Sequence, residues 1–250
     1  MLLPSTGARH AVGFLTRVPV RFADGERPRL DLAVPWFPIV GLLVGGLSAG
    51  VLALVDLLPG AGPAGIAAAL GLAAGIAVTG ALHEDGLADC ADGLGVLGDR
   101  ERRLAVMRDP RIGTFGTLAL VVWALVCWSA LRALPTADAV TALLASATLG
   151  RAAILPHAAL GRPARPDGAI HALHVGPAGG ATAALVAGAV VGVTLGPVAG
   201  AVALGAGALV VAATTAGARA GFGGITGDTC GATATLVQAS VLVVALAFVA

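Results

Sequence analysis

Apolar segments of roughly membrane length alternate with short polar segments along nearly the whole chain of 250 residues. A helix needs about 20 predominantly apolar residues to cross the hydrocarbon core of a bilayer. The pattern therefore predicts an all-α polytopic membrane protein with about seven transmembrane helices, built as a single domain over residues 1–250. The predicted transmembrane helices cover residues 35–58, 63–82, 112–134, 137–158, 181–196, 198–217 and 232–249.

The N-terminal part of the chain does not follow this pattern. A short apolar run over residues 11–15 is surrounded by arginines, and it is too brief and too charged for a cleavable signal peptide. We expect residues 1–33 to form an amphipathic segment at the membrane interface, followed by a polar loop.

The composition excludes a soluble enzyme. Hydrophobic residues make up 57% of the chain and charged residues 12%, and the mean hydropathy is +0.93. The three cysteines are isolated in the sequence, so neither a disulfide framework nor a zinc knuckle is predicted. The net charge of +1 gives no reason to expect a nucleic acid as a partner, whereas the apolar segments require a lipid bilayer.

All 15 basic residues are arginines, and their placement predicts the orientation of the chain. Nearly all of them fall in the N-terminal segment and in loops on the same side, whereas Arg132 falls in a loop on the opposite side. Basic residues accumulate on the cytoplasmic side of membrane proteins. We therefore expect an inner-membrane protein whose N-terminus and motif-bearing loops face the cytoplasm. Arg151 lies inside the fourth predicted helix, where a guanidinium needs an anionic partner from protein or substrate.

The polar stretch over residues 79–116 is the predicted centre of the protein, because it holds half of the 14 acidic residues. If the stretch is helical, Asp85, Asp89 and Asp92 share one face. Two carboxylates about 5 Å apart repel by roughly 3 kcal/mol at an effective dielectric near 20, so a bound cation or shifted pKa values are required. All-oxygen ligands favour Mg²⁺ or Mn²⁺. We therefore predict a catalytic segment over residues 83–111, and the alternative is a solvated acidic loop.

A second candidate loop has the sequence GGITGDTCGA over residues 223–232. Its glycines allow a ligand to approach the backbone closely. Gly223, Gly224 and Thr226 are therefore candidate substrate contacts, and Asp228 is a candidate metal ligand. The loop lacks the lysine of a Walker phosphate loop, and a glycine-rich turn between two helices is the alternative.

Several arginines are candidates for binding phosphate, since a guanidinium donates two parallel hydrogen bonds to an anion. They are Arg108 and Arg111 in MRDPRIGTFG, and Arg162 and Arg165 in RPARPDG. Ordinary juxtamembrane charges are the alternative in both places. His83 directly precedes the carboxylates, and it is a candidate metal ligand or catalytic base, or else a structural histidine.

Four motifs follow one another between the apolar segments: HEDGLADCADG (83–93), MRDPRIGTFG (107–116), ARPDG (164–168) and GGITGDTCGA (223–232). Together they resemble the cobalamin synthase family, the adenosylcobinamide-GDP ribazoletransferases. The resemblance also takes in FLTRVPV and WFPIVG near the N-terminus, so it extends over nearly the whole chain. The chain departs from the family at Glu84, where the family more often has leucine.

The resemblance implies a Mg²⁺-dependent enzyme of the inner membrane that joins adenosylcobinamide-GDP to α-ribazole or its 5′-phosphate and releases GMP. Such a reaction assembles the nucleotide loop of adenosylcobalamin, and phosphoryl transfer requires metal ions and cationic groups around the phosphates. A homo-oligomer or a complex with other enzymes of corrinoid synthesis remains open. The resemblance assigns Mg²⁺ to Asp85, Asp89, Asp92 and Asp228, the pyrophosphate to Arg108, Arg111, Arg151 and Arg165, and proton acceptance to His83 or a metal-bound carboxylate.

Two other functions remain open from the residues alone. CDP-alcohol phosphotransferases also gather aspartates at a membrane face, but the sequence lacks the arginine shortly after the first Asp-Gly and the later DxxxD of that motif. An ion-coupled transporter is the second alternative. Transporters place such carboxylates near mid-membrane in paired repeats, whereas this chain shows no repeat and keeps its acidic residues at one end of a predicted helix.

Overall fold

A computed structural model describes residues 5–22, 29–58, 65–165 and 173–249. These residues form α-helices joined by short connections, with a 3₁₀ turn over Val34–Trp36. The helices are α1 (Thr6–Leu15), α2 (Leu30–Ala33), α3 (Phe37–Asp56), α4 (Gly65–Thr79), α5 (Leu82–Gly95), α6 (Arg100–Val106), α7 (Thr114–Ala133), α8 (Thr136–Leu160), α9 (Pro177–Leu195), α10 (Pro197–Phe222) and α11 (Gly227–Val249).

Among the described residues, six helical segments are long and apolar enough to cross a membrane. They are α7 to α11 and the segment Leu30–Asp56, in which α2 and the 3₁₀ turn lead into α3. The pair α4 and α5, which is bent by 90°, brings the number to seven if it is counted as one broken span. The prediction of an all-α polytopic membrane protein with about seven transmembrane helices is therefore confirmed.

The last three helices differ from their predicted bounds for local reasons. Pro177 occupies the first turn of α9, where its fixed φ favours a helix start. α10 continues to Phe222, because Gly223 supplies the left-handed conformation, with φ of 70°, that ends it. α11 begins at Gly227, so that Asp228 lies in a helix and not in the predicted loop.

Small residues bring the crossing helices close together. Gly41 and Gly45 of α3 lie directly against the backbone of α8. A Cβ at Gly45 would lie 2.7 Å from the carbonyl oxygen of Leu143, which is too close for any side chain. Interfaces of this kind hold membrane helices together by van der Waals packing, since lipid provides no hydrophobic driving force between them.

The bend between α4 and α5 determines where the acidic stretch lies. Gly80 and Ala81 both have left-handed backbone conformations, with φ of 65° and 59°, and such a conformation is uncommon for a residue with a side chain. The side chain of Arg17 lies directly against Gly80, so that a Cβ at this position would clash with it. α4 therefore supplies the apolar length of the crossing segment, and α5 lies across its end.

The N-terminal helix α1 has the amphipathic character expected of residues 1–33. Ala11 and Leu15 are buried on its apolar face. The ring of Phe14 stacks on that of Phe37 in α3, with centroids 6.0 Å apart. α1 is therefore anchored to the transmembrane helices, where it covers part of the bundle next to α5.

Candidate active site

Three acidic residues of the helix α5, Glu84, Asp85 and Asp89, line a cavity of 280 Å³. The helix that the spacing of Asp85, Asp89 and Asp92 requires is present over Leu82–Gly95. Asp85 and Asp89 line the cavity together with Arg108 and Asp109, which follow α6. Carboxylates and a guanidinium thus face the same space, and such a combination suits a negatively charged substrate that is held with a metal ion.

A larger cavity of 560 Å³ adjoins this one at Asp109, which lines both. Asp92, Arg102 and Arg111 contribute the other charged groups of its wall. The two cavities together provide room for a substrate much larger than a nucleotide, with arginines along its path.

Arg111 and Asp109 form a bidentate ion pair at the boundary of these cavities. Nε of Arg111 donates to Oδ1 of Asp109 at 2.9 Å, and Nη2 donates to Oδ2 at 2.7 Å. These hydrogen bonds hold the pKa of Asp109 down to about 2. The Arg111 side chain is nevertheless 86% exposed, so it is held in one orientation and stays accessible to an anion.

Asp92, a predicted metal ligand, accepts hydrogen bonds from two backbone N–H groups. Its Oδ2 accepts a hydrogen bond from the backbone N–H of Gly113 at 2.7 Å, and its Oδ1 accepts one from Gly116 at 2.8 Å. Gly113 is the N-cap of α7 and has no side chain to cap the helix. Asp92 therefore supplies the cap from another helix, and a Cβ at either glycine would clash with its carboxylate.

Asp228 lies against α5, although it is distant in sequence. A Cβ at Gly86 would lie 2.5 Å from the carbonyl oxygen of Asp228, so only glycine permits the approach. One turn further along α11, a Cβ at Gly231 would lie 3.1 Å from Cα of His83. The first turns of α5 and α11 are therefore in backbone contact, and the carboxylate of Asp228 lies beside those of α5.

Arg165 connects Asp228 to α6. Its Nη1 lies 3.9 Å from Oδ2 of Asp228, and its Nη2 donates to the carbonyl oxygen of Leu104 at 3.0 Å. Pro163 and Ile225 form an isolated parallel bridge that holds the two loops together. Arg165 is thus next to the carboxylates but outside the walls of both cavities, and the rest of the ARPDG motif lies outside the described residues.

Gly223, Gly224 and Thr226 make contacts within the protein that differ from the expected contacts with substrate. Gly223 ends α10, and a Cβ at Gly224 would clash with the carbonyl oxygen of Arg162. Thr226 and Thr229 cap α11 reciprocally: each backbone N–H donates to the hydroxyl of the other residue, at 3.0 and 3.2 Å. The hydroxyl of Thr226 also donates to Oδ2 of Asp228 at 3.2 Å.

Arg151 lies inside the bundle and not at a cavity wall, with an exposed fraction of 3%. Its Nη1 donates to Oε1 of Gln238 at 3.1 Å. Glu84, which is also buried, interacts electrostatically with it. This guanidinium was expected to have an anionic partner from protein or substrate, and the charge of Glu84 acts on it. Binding of the pyrophosphate by Arg151 stays a prediction.

The carboxylates of α5 and α11 lie close enough to interact with one another, so they can be compared with the ligands that a metal ion requires. The negative charges of Asp85, Asp228 and Asp92 all act on the carboxylate of Asp89. Within the described residues, no three His, Cys, Asp or Glu side chains form a group that encloses a metal ion. Mg²⁺ usually takes one or two carboxylates and completes its shell with water and substrate phosphates. Asp85 and Asp89, with Asp228 beside them, fit this ion.

Two arginines of α6 contribute to the site. The sequence predicted that they lie on the cytoplasmic side of the membrane, but it did not predict their contacts. Arg102 lines the larger cavity. Nε of Arg100 donates to the carbonyl oxygen of Phe222 at 2.7 Å, and Nη2 donates to that of Ala164. Arg100 therefore fixes the loop before α11 against the RPARPDG segment. Their proximity to the acidic stretch was visible in the sequence, but their partners were not.

Comparisons with known proteins agree with this arrangement. Residues 7–246 match the family model described as cobalamin-5-phosphate synthase. A protein of Sinorhizobium medicae named adenosylcobinamide-GDP ribazoletransferase is 43% identical over 245 residues, which cover 93% of this chain and 92% of that protein. A protein of Rhizobium meliloti with the same name is 38% identical over 246 residues, again with 93% and 92% coverage. A search of solved structures gave no match.

These matches extend over almost the whole length of the chain and of its relatives. They favour neither a CDP-alcohol phosphotransferase nor an ion-coupled transporter, which were the two alternatives from the sequence. The family assembles the nucleotide loop of cobalamin, and the all-helical membrane fold agrees with the fold that the resemblance implied. The chain belongs to the cobalamin-5-phosphate synthase family, and it is an enzyme of that family.

Proposed function

We propose that this enzyme transfers the adenosylcobinamide phosphoryl group of adenosylcobinamide-GDP to α-ribazole or its 5′-phosphate, and that the reaction depends on Mg²⁺. The observation that carries the proposal is the cavity in which Asp85 and Asp89 face Arg108. The adjoining cavity with Arg102 and Arg111 supports a large, doubly charged donor. The names of the relatives support the same pair of substrates.

The reaction is a displacement at phosphorus. A ribose hydroxyl of the acceptor attacks the phosphorus that carries cobinamide, the bond from this phosphorus to the oxygen bridging to GMP breaks, and GMP leaves. Bound Mg²⁺ would neutralise charge on the phosphate oxygens. Asp85 and Asp89 would hold the ion, with Asp228 adjacent, and Arg108 and Arg111 would orient the phosphates of the donor.

The acceptor hydroxyl must lose a proton in this step, and Asp85 is the better supported base of the two predicted. Asp85 is exposed to the cavity that contains the other charged groups. His83 does not line that cavity and is 2% exposed. A carboxylate within hydrogen-bonding reach of the hydroxyl can accept the proton as the new bond to phosphorus forms.

We also infer that the enzyme is a protein of the inner membrane, with its N-terminus and both cavities on the cytoplasmic side. Arg102, Arg108 and Arg111 lie around the cavities, and arginines accumulate on that side of bacterial membrane proteins. Both substrates are highly polar, so a site at this face would meet them without their crossing the membrane.

Purified protein in detergent tests the proposed reaction directly. It is incubated with adenosylcobinamide-GDP and α-ribazole in the presence of Mg²⁺, and GMP and the cobamide product are separated by chromatography. We expect both products to form in equal amounts, and neither to form when the acceptor is omitted or when EDTA removes the metal. GMP release that is independent of the acceptor would contradict the transfer and indicate hydrolysis.

A further inference from the structure

A third cavity lies beside α5, and none of the roles proposed above involves it. It has a volume of 180 Å³ and is enclosed by residues of α1, α5, α8 and α11. Phe14, Leu82, Ile154 and Leu173 give it largely apolar walls. An apolar cavity of roughly 150 Å³ accommodates a benzene molecule, so this space is of the size that takes one aromatic base.

This cavity meets the 280 Å³ cavity of the candidate active site at one carboxylate. Asp85 lines both of them, and Asp228 lies at the edge of the apolar one. A molecule seated among the apolar walls therefore has its remaining part next to the carboxylates that fit Mg²⁺. A reaction with two substrates requires two binding spaces that converge on the reacting atoms, and these two cavities provide that arrangement.

His83 gives the apolar cavity one polar group. Its side chain is 2% exposed and lines the cavity. Among the described residues, neither Nδ1 nor Nε2 has a hydrogen-bond partner. A buried polar group without a partner costs roughly 1–3 kcal/mol, so a ligand that pairs with the imidazole would remove this cost. A purely apolar ligand would leave the imidazole unpaired.

We propose that this cavity binds the heterocyclic base of the nucleoside acceptor, with an N–H of His83 donating a hydrogen bond to the free ring nitrogen of that base. The proposal rests on the proposed transferase function and names the binding space of its second substrate. The apolar walls cover the two faces of the planar base, and the ribose extends towards Asp85 and Asp228. The walls formed by Phe14, Ile154 and Leu173 then decide which bases the enzyme accepts.

Gly227 provides a position at which an added side chain reduces the cavity. It lines the cavity, and a Cβ there would meet no atom within 4 Å. Gly217 in α10 is a matched control, because a Cβ there also meets no atom within 4 Å and the residue lines none of the three cavities described above. Both substitutions by leucine therefore add the same side chain at a position where its Cβ meets no neighbour.

The first test compares wild type, Gly227→Leu and Gly217→Leu in the GMP-release assay. We expect Gly227→Leu to raise the KM for α-ribazole by about tenfold or more, with the KM for adenosylcobinamide-GDP unchanged, since only the acceptor is displaced. Gly217→Leu should keep both values. An unchanged KM for α-ribazole in an active Gly227→Leu enzyme, or an equal rise in both KM values, would overturn the proposal.

The second test needs no variant and no turnover. Equilibrium dialysis of the wild-type protein measures the binding of α-ribazole and of the matching indole riboside, in which C–H replaces the free ring nitrogen. We expect the indole compound to bind about tenfold or more weakly, because it leaves the imidazole unpaired. Equal binding of the two compounds would overturn the contact with His83. Selective binding of α-ribazole without GMP release would instead retain the cavity assignment and contradict the transferase function.

Discussion

The carboxylate of Asp92 lies 2.7 Å from the backbone nitrogen of Gly113, and this contact joins the acidic helix α5 to the start of the membrane-crossing helix α7. Gly113 cannot cap α7 with a side chain of its own. Asp92 accepts a second hydrogen bond from Gly116 in the same turn. Both carboxylate oxygens of Asp92 therefore accept hydrogen bonds from the backbone. Asp85 and Asp89 instead line the 280 Å³ cavity.

This difference predicts that Asp92→Asn lowers the stability of the protein, whereas Asp89→Asn lowers its metal-dependent activity. Asp92→Asn should lower the Tm of the purified protein by a few degrees, since loss of a helix cap costs roughly 0.5–2 kcal/mol. The Mg²⁺ concentration that gives half-maximal activity should stay at the wild-type value. Asp89→Asn should lower activity by orders of magnitude and raise that Mg²⁺ midpoint, because a charged ligand is lost. Thermal unfolding and Mg²⁺ titrations of both variants provide the comparison.

Asp138→Asn is a suitable control, because Asp138 lies in the first turn of α8 and lines neither cavity. It should leave both the Tm and the Mg²⁺ midpoint near the wild-type values. A raised Mg²⁺ midpoint in Asp92→Asn without any decrease in Tm would contradict the capping role and indicate that Asp92 is a metal ligand.

The sequence allowed the crossing helices and the helical face of the carboxylates to be predicted, because hydropathy and i, i+4 spacing are local properties. It did not allow the partners of these side chains to be predicted. Gly113 is 21 residues from Asp92 in the chain, and Asp228 meets Gly86 only because α5 and α11 cross there. Contacts of this kind depend on the tertiary arrangement, so a metal ligand and a helix cap look alike in one sequence.

The buried pair Glu84 and Arg151 provides a prediction about stability. Glu84→Leu should destabilise the protein, since it leaves the guanidinium buried with only Gln238 as its described side-chain partner. Replacing both residues, as in Glu84→Leu with Arg151→Leu, should cost less than the sum of the two single changes. The interaction energy expected for such a pair is roughly 0.5–3 kcal/mol. Tm values of the four proteins measure it, and strictly additive changes would show that the two charges do not stabilise each other.

The orientation in the membrane can be tested at the exposed residue Leu97, which is 92% exposed between α5 and α6. A cysteine at Gly95 would clash with the ring of Phe115, so that position is unsuitable. We expect Leu97→Cys to be protected from an impermeant thiol reagent added to the periplasmic side, and to react once the membrane is opened. The native cysteines are all buried, so their background should be low.

Leu57→Cys is the matched variant for the other side of the membrane. Leu57 directly follows α3 and is 79% exposed. The variant should react with the same reagent without permeabilisation, because α3 has crossed the membrane at this point. Reaction of Leu97→Cys from the periplasmic side, with Leu57→Cys protected, would invert the proposed orientation. Gly60 and Gly168, in the segments that follow α3 and α8, lie outside the described residues and are not used for labelling.

The contact between α5 and α11 leads to a prediction about metal binding by distant residues. The negative charge of Asp228 acts on Asp89, and the backbone of Asp228 lies against Gly86. If both carboxylates serve one Mg²⁺, Asp228→Asn should raise the Mg²⁺ midpoint in the same direction as Asp89→Asn. The double variant should then lose clearly less activity than the two single losses combined, because one coordination shell is damaged twice. Activity is measured against Mg²⁺ concentration for the wild type, both single variants and the double variant. An unchanged midpoint in Asp228→Asn, with losses that simply add, would assign Asp228 to the packing of α11 on α5 and leave Asp85 and Asp89 as the metal ligands.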